Sequence, residues 1–369
     1  MEKNICIKAI MIIIFATYTL RNEAQNPPHE IIRDGITYKM ADKPLYIDPV
    51  YNGSTDPMVC YNFNTSRWYM YYTSRRSNIP GLNGIESVHG SPIGIAASSD
   101  GGATWEYIGN CNIDYHPDEN PTYWAPEVIE YKGTYHMYLT YVPGIFTTWE
   151  YPRDIVHLTS RDGINWTTQS VLKLATQKVI DACIIRMPDG KWRLWYNNET
   201  DNKSIYYAES PDLYNWTDKG KVIINTVGEG PNVIFWHGKY YMIVDEWKGL
   251  SVFISDDAIN WSKQDEYLIA GIPIKDNNEN DVSNNMPVNG NSQRRARVRM
   301  VDGSRGNHAD IQLSGDHAYL FYFSSIPADR NMRGSAVYVQ ELIWNQDGTI
   351  SCDTTAPCYI NLGRGTNTD

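Results

Sequence analysis

Residues 228–242 read Gly228-Glu229-Gly230-Pro231-Asn232-Val233-Ile234-Phe235-Trp236-His237-Gly238-Lys239-Tyr240-Tyr241-Met242. A carboxylate sits in a glycine–proline turn. An apolar run follows, His237-Gly238 reverses the chain, and an aromatic run returns. Glycine supplies the positive φ that a tight hairpin needs. Aromatic and β-branched side chains suit a pleated, half-buried surface. The stretch therefore predicts two antiparallel strands with an acid at their entrance.

The plan recurs five times. The aromatic strands are Arg67-Trp68-Tyr69-Met70-Tyr71-Tyr72, Thr134-Tyr135-His136-Met137-Tyr138-Leu139, Lys191-Trp192-Arg193-Leu194-Trp195-Tyr196, Lys239-Tyr240-Tyr241-Met242-Ile243-Val244 and His317-Ala318-Tyr319-Leu320-Phe321-Tyr322. A shorter strand precedes each, beginning near Asp56-Pro57, Pro126-Glu127, Asp181-Ala182, Pro231-Asn232 and Ala309-Asp310. A second marker lies downstream: Ser98-Ser99-Asp100-Gly101-Gly102-Ala103-Thr104-Trp105, then Ser160–Trp166, Ser210–Trp216 and Ser255–Trp261. Its Asp and following residues make a turn, and its Trp is expected to plug the space between sheets. Strand pairs joined by tight turns and a tryptophan hairpin, repeated along the chain, describe propeller blades. The expected fold is all-β: a five-bladed β-propeller with four-stranded antiparallel blades. Residues 30–47 are expected to supply the strand that closes the ring with the last blade, near 335–353.

Composition narrows the class. The 369 residues include 27 Tyr and 12 Trp without sustained helical periodicity, and residues 26–369 read as one domain. A formal charge of −11 repels phosphates and argues against a nucleic-acid partner. Lys3 and Lys8 precede an apolar run from Ala9 to Leu20, so residues 1–25 read as a signal peptide of a secreted or periplasmic protein. That run is short for a membrane span, and no later stretch is longer. The cysteines after the leader are Cys60, Cys111, Cys183, Cys352 and Cys358, with no C-x-x-C pair to suggest a metal–thiolate site. Cys352 and Cys358 are near enough in sequence to bridge in an oxidising compartment.

In a propeller the innermost strands converge on a central channel. Their starts present Asp56, Glu127, Asp181, Glu229 and Asp310. Gathering acids is electrostatically costly, which points to chemistry. Glycoside hydrolysis uses two carboxyl groups flanking the scissile bond, one protonated and one ionised. A third carboxylate can raise the acid's pKa. Asp56, Asp181 and Glu229 suit these roles: the longer Glu reaches a leaving oxygen, and the shorter Asp leaves room for water.

Asp56-Pro57, Trp124-Ala125-Pro126-Glu127, Ile180-Asp181 and Glu229-Gly230-Pro231, in order and each opening its blade, resemble glycoside hydrolase family 43. The resemblance implies that Asp56 is a general base, that Asp181 tunes pKa and orients, and that Glu229 is a general acid, with inversion at the anomeric carbon. It implies an exported enzyme removing a terminal sugar from a plant or algal polysaccharide or oligosaccharide, either arabinofuranosidase- or xylosidase-like or anhydrogalactosidase-like. Loops 75–90 and 272–307 match no family feature and suggest a divergent branch. Trp124 is read as a sugar-stacking residue or a core one, and Glu127 as a ligand to sugar hydroxyls. Arg75 and the arginines of the second loop could fork a carboxylate or sulfate on the glycan, with His89 beside them. His308 and Asp310 open the fifth blade. The resemblance requires no cofactor, although some relatives hold a water-ligated calcium near such a histidine. Calcium prefers oxygen ligands. Two alternatives compete. A sialidase-like hydrolase would explain the Asp-box pattern at Ser98–Trp105, but no arginine triad is evident. A non-catalytic glycan-binding propeller would need stacking aromatics without the acids.

Overall fold

The computed structural model describes residues 27–222, 227–270, 272–273, 298–299, 306–327, 330 and 332–365. The leader read over residues 1–25 and nearly all of loop 272–307, including the side chains of Arg294, Arg295, Arg297 and Arg299, lie outside the described residues.

Five antiparallel sheets follow one another along the chain. Blade I is built from Ser54–Asn62, Arg67–Ser74, Ile93–Ser98 and Glu106–Asn110. Blade II is built from Thr122–Tyr131, Thr134–Val142, Asp154–Ser160 and Asn165–Val171, with Asn112–Ile113 added in parallel at its edge. Blade III comprises Val179–Arg186, Trp192–Asn198, Ser204–Ser210 and Thr217–Lys221. Blade IV comprises Glu229–Trp236, Lys239–Asp245, Gly249–Ser255 and Ser262–Lys263. Blade V comprises Asn307–Ser314, His317–Ser325, Ser335–Trp344 and Ile350–Cys352. The aromatic runs form the second strand of each blade.

The ring closes only in part as expected. All four strands of blade V come from consecutive chain. The N-terminal hairpin, Glu30–Arg33 with Ile36–Met40, pairs instead with Tyr359–Ile360 in a small separate sheet. Residues 45–46 meet blade V at an isolated bridge, with the Leu45 N–H donating to the Val337 carbonyl at 2.9 Å and the Val337 N–H to the Tyr46 carbonyl at 2.9 Å. Side chains add to the seam: Leu45 and Tyr46 join Val59, Tyr72, Phe321 and Val337 in one buried cluster. All five described cysteines are free thiols, so Cys352 and Cys358 are not bridged.

The tryptophan markers lock neighbouring blades. Trp166, Trp216 and Trp261 meet edge-on Tyr71, Tyr138 and Trp195 of the preceding blade, and Trp105 meets Phe321 of blade V. In each marker the Ser and Asp side chains close the turn, as Ser160 Oγ donates to Asp162 at 3.0 Å and Asp162 accepts from the Asn165 N–H at 2.8 Å. Edge-to-face rings add to the area they bury.

Every innermost strand breaks its register near its start, between Thr55 and Met58, Trp124 and Glu127, Ile180 and Cys183, Glu229 and Asn232, and Asn307 and Ala309. Pro57, Pro126 and Pro231 have no N–H to offer the ladder, so a bulge is where they fit. The residue before each bulged Pro or Ala has positive φ: Asp56 51°, Ala125 44°, Asp181 61°, Gly230 60° and His308 27°. Bulges re-aim side chains. Here they separate two tiers of polar groups.

Candidate active site

The inner tier holds the blades together. Glu127 accepts the Ile184 N–H of blade III at 2.7 Å, Cys183 Sγ accepts the Val233 N–H of blade IV at 3.2 Å, Asn232 Oδ1 accepts the Ile311 N–H of blade V at 3.2 Å, and Asp310 accepts the Val59 N–H of blade I at 2.9 Å. Met58 occupies the fifth position. Asp310 also accepts from Asn232 Nδ2 at 3.1 Å and from Gln312 Nε2 at 2.9 Å. Burial, then the charge of Asp310, pushes the Glu127 carboxyl well above its ordinary range. Glu127 and Asp310, expected at the mouth, are thus occupied as buried inter-blade latches. Their side chains leave the bulge in a different tier from Asp56 and Asp181.

The outer tier gathers Asp56, Asp181, Glu229 and His308. His308 Nδ1 lies 3.7 Å from Asp56 Oδ1 and 3.9 Å from Asp181 Oδ2. Asp181 Oδ2 accepts the Gly230 N–H at 2.9 Å, which ties the third blade to the turn carrying Glu229. Gly230 combines φ +60° with close approach: a Cβ there would lie 2.9 Å from His308 Cγ and Nδ1. The Asp181 N–H itself donates to Thr140 Oγ1 at 3.2 Å, and the His308 N–H to Asp245 Oδ2 at 3.2 Å.

Each carboxylate has its own surroundings. Asp56 accepts from Thr55 Oγ1 at 3.1 Å and faces Arg75 Nη2 at 3.5 Å. Burial works against its ionisation, but Arg75, His308 and the Thr73 and Thr55 hydroxyls prevail and its pKa is lowered. Burial raises Asp181 to about 7; Glu229 and Asp56 add to the rise, and His308 opposes it. Asp245 also rises to about 7, from burial and the charge of Glu229. Glu229 goes the other way. Lys203 Nζ sits 3.0 Å from Oε2 and Trp247 Nε1 3.0 Å from Oε1. Burial is outweighed by Lys203, Trp247 and His308, so the Glu229 pKa is lowered. Crowding thus raises Asp181 and Asp245, whereas Glu229, beside Lys203, is lowered.

Lys203, Asp245 and Trp247 escape a reading of strand starts. Asp245 is legible in retrospect, because the hairpin at Gly238 pairs it with Glu229. Lys203 lies in the blade III turn, and nothing local to the sequence brings it to blade IV. Lys203 is also held by Glu199 Oε1 at 2.7 Å, and Glu199 Oε2 lies 2.6 Å from Arg153 Nε.

The remaining expected residues divide. Arg75 reaches the site, with its guanidinium also over the Phe323 ring at 5.1 Å. Trp124 is 8% exposed, donates its indole N–H to the Val88 carbonyl at 2.6 Å, and carries Arg153 over its ring. It is packing for loops 75–90 and 143–153, not an open stacking face. His89 is buried edge-on to Trp124 and Phe146, and burial pulls its pKa to about 4. Trp149 and Tyr151, each 39% exposed, are the aromatics that the second of these loops leaves at the surface.

Among the described residues, no group of three or more His, Cys, Asp and Glu side chains is arranged to hold a metal ion. Burial of His308 is outweighed by Asp181, Asp56, Glu229 and Asp245, which raise its pKa and favour the imidazolium.

The arrangement offers an ionised carboxylate, Asp56, and neighbouring carboxyls that titrate near neutrality, at one mouth of a propeller. That defines a class of acid–base sites able to move a proton onto one group and off another. The sequence pattern of the glycosyl hydrolases family 43 matches residues 46–350, and the chain belongs to that family. It is a glycoside hydrolase. Its fold is similar to that of a thermostable family-43 glycoside hydrolase, with a TM-score of 0.57 and 21% identity over 87% of this chain and all of that one. A family-43 β-1,3-galactosidase with galactodeoxynojirimycin gives 0.56 and 12%, covering 81% and 93%. A xylan β-1,4-xylosidase from Bacillus halodurans gives 0.55 and 15%, covering 85% of this chain and 57% of that one. No curated protein matches the chain. No helix among the described residues is long and apolar enough to cross a membrane.

Proposed function

We propose that residues 26–369 form one exported catalytic unit that removes a terminal sugar from a plant or algal glycan by inverting hydrolysis. Asp56 is the general base, Glu229 the general acid, and Asp181 the residue that orients the acid's turn and tunes its charge. The supporting observation is the outer tier itself: Asp56 and Asp181 both face His308 within 4 Å, and Asp181 accepts the N–H of Gly230, next to Glu229. In one displacement, water held by Asp56 forms its bond to the anomeric carbon and gives its proton to Asp56. The bond to the leaving oxygen breaks with its electron pair, and that oxygen takes the Glu229 proton. The xylosidase and galactosidase named above, and a family-43 enzyme from Xanthomonas citri complexed with xylose, favour a neutral pentose or hexose at the cleaved end. Arg75 leaves room for a uronic or sulfated neighbour. Turnover of aryl arabinofuranosides, xylosides and galactosides tests the reading. Glu229→Gln and Asp56→Asn should each abolish it with folding intact, and full activity in either variant would refute the assignment.

A further inference from the structure

We propose that Lys203, which bridges Glu229 and Glu199, is a positioning residue that holds the acid's carboxyl and governs how readily it carries its proton. The inference rests on the reading of Glu229 as the acid. Both Glu229 oxygens are engaged, Oε2 by Lys203 at 3.0 Å and Oε1 by the Trp247 indole N–H at 3.0 Å. An ammonium has three donors and no acceptor. Its three N–H groups let Lys203 serve two carboxylates at once, and Glu199 Oε1 holds Nζ at 2.7 Å while Glu229 Oε2 lies at 3.0 Å. The Glu199 side chain is 8% exposed and faces the Arg153 guanidinium, itself 2% exposed, at 2.6 Å. The Lys203 ammonium also lies 5.2 Å from the Trp247 ring centre, so the same indole guides both partners.

Glu229 donates its proton to the leaving oxygen as the glycosidic bond breaks, and becomes a carboxylate that the Lys203 ammonium stabilises. A proton from solvent then reloads it. The other groups that act on Glu229 are His308, which favours its ionised form, and Asp181 and Asp245, which interact with it through space.

The test is the pH dependence of kcat/KM with an unactivated aryl glycoside, whose basic limb reports the acid in the uncomplexed enzyme. Lys203→Met removes the cation and should move that limb up by about one pH unit or more, the effect of losing an opposite charge at this range. Glu199→Gln removes the competing carboxylate, concentrates the lysine's charge on Glu229, and should move the limb down. Lys203→Arg keeps the charge and should move it less than Lys203→Met. A merely structural role would shift the limb in neither variant, or in both the same way, and either result overturns the proposal. Should Lys203→Met fail to fold, the downward shift in Glu199→Gln decides alone. An inactive Glu229→Gln with unmoved limbs refutes only the role of Lys203, whereas an active Glu229→Gln refutes the reading beneath it.

Discussion

Asp181 and Cys183 are two residues apart on one strand, as are His308 and Asp310, yet their side chains serve different tiers. Asp310 and Glu127 spend their oxygens on the backbone N–H groups of neighbouring blades. Asp56 and Glu229 face cations instead, Arg75 and Lys203, whose side chains are each 30% exposed. A carboxyl bonded to backbone is committed to the fold. A carboxyl balanced by part-exposed cations keeps its oxygens free to exchange a proton. The bulge in each strand separates the two, and residue type alone does not.

This contrast can be broken in order of expected effect. The largest belongs to the outer tier: Glu229→Gln and Asp56→Asn should lower kcat/KM by about 10²–10⁴, the usual range for general acid–base catalysis, with little change in the unfolding midpoint. Gly230→Ala, where the added methyl meets His308 and the backbone holds φ +60°, should reduce both activity and stability, the latter by about 1 kcal/mol or more. Glu127→Ala should leave the Ile184 N–H unsatisfied and cost about 1–3 kcal/mol in urea unfolding, with a far smaller loss of kcat/KM than Glu229→Gln. The reverse ranking would merge the tiers.

The smallest effect concerns pH. His136 and His157 stack in blade II with Nδ1 and Nε2 3.0 Å apart, and burial pulls them to about 4 and about 3. Between these values and the ordinary 6.5 the unfolded chain binds more protons, so stability falls as pH drops through that window. His157→Phe should flatten the loss. Asp181 and Asp245, raised from 3.8 to about 7, carry the opposite sign. Their contribution is greatest below 3.8 and is lost as pH rises through about 7. Because the windows overlap, equilibrium unfolding across pH 4–8 is compared between the wild type and His157→Phe, whose difference isolates the histidine trend.

Much of this was legible in sequence because it is periodic. The aromatic strands, the Ser–Asp–Trp turns and the acids at Asp56, Asp181 and Glu229 recur with the blade. What was hidden depends on contacts between blades. Glu127 and Asp310 read as mouth residues, since a bulge that re-aims a side chain leaves no mark beyond a Pro or Ala. Lys203 and Trp247 meet Glu229 from separate segments. Within residues 30–47, Leu45 and Tyr46 do meet Val337 of blade V as read, but the hairpin before them pairs Tyr359–Ile360, because a short alternating stretch does not name its partner.

The most direct measurement is the configuration of the first-formed sugar, followed by proton NMR from the start of hydrolysis of the aryl glycoside the enzyme turns over best. With Asp56 activating water and Glu229 protonating the leaving oxygen, the initial product should have the anomeric configuration opposite to the substrate's, equilibrating only later by mutarotation. A first product of retained configuration would contradict the account, because it requires a carboxylate to attack carbon where Asp56 is assigned to hold water.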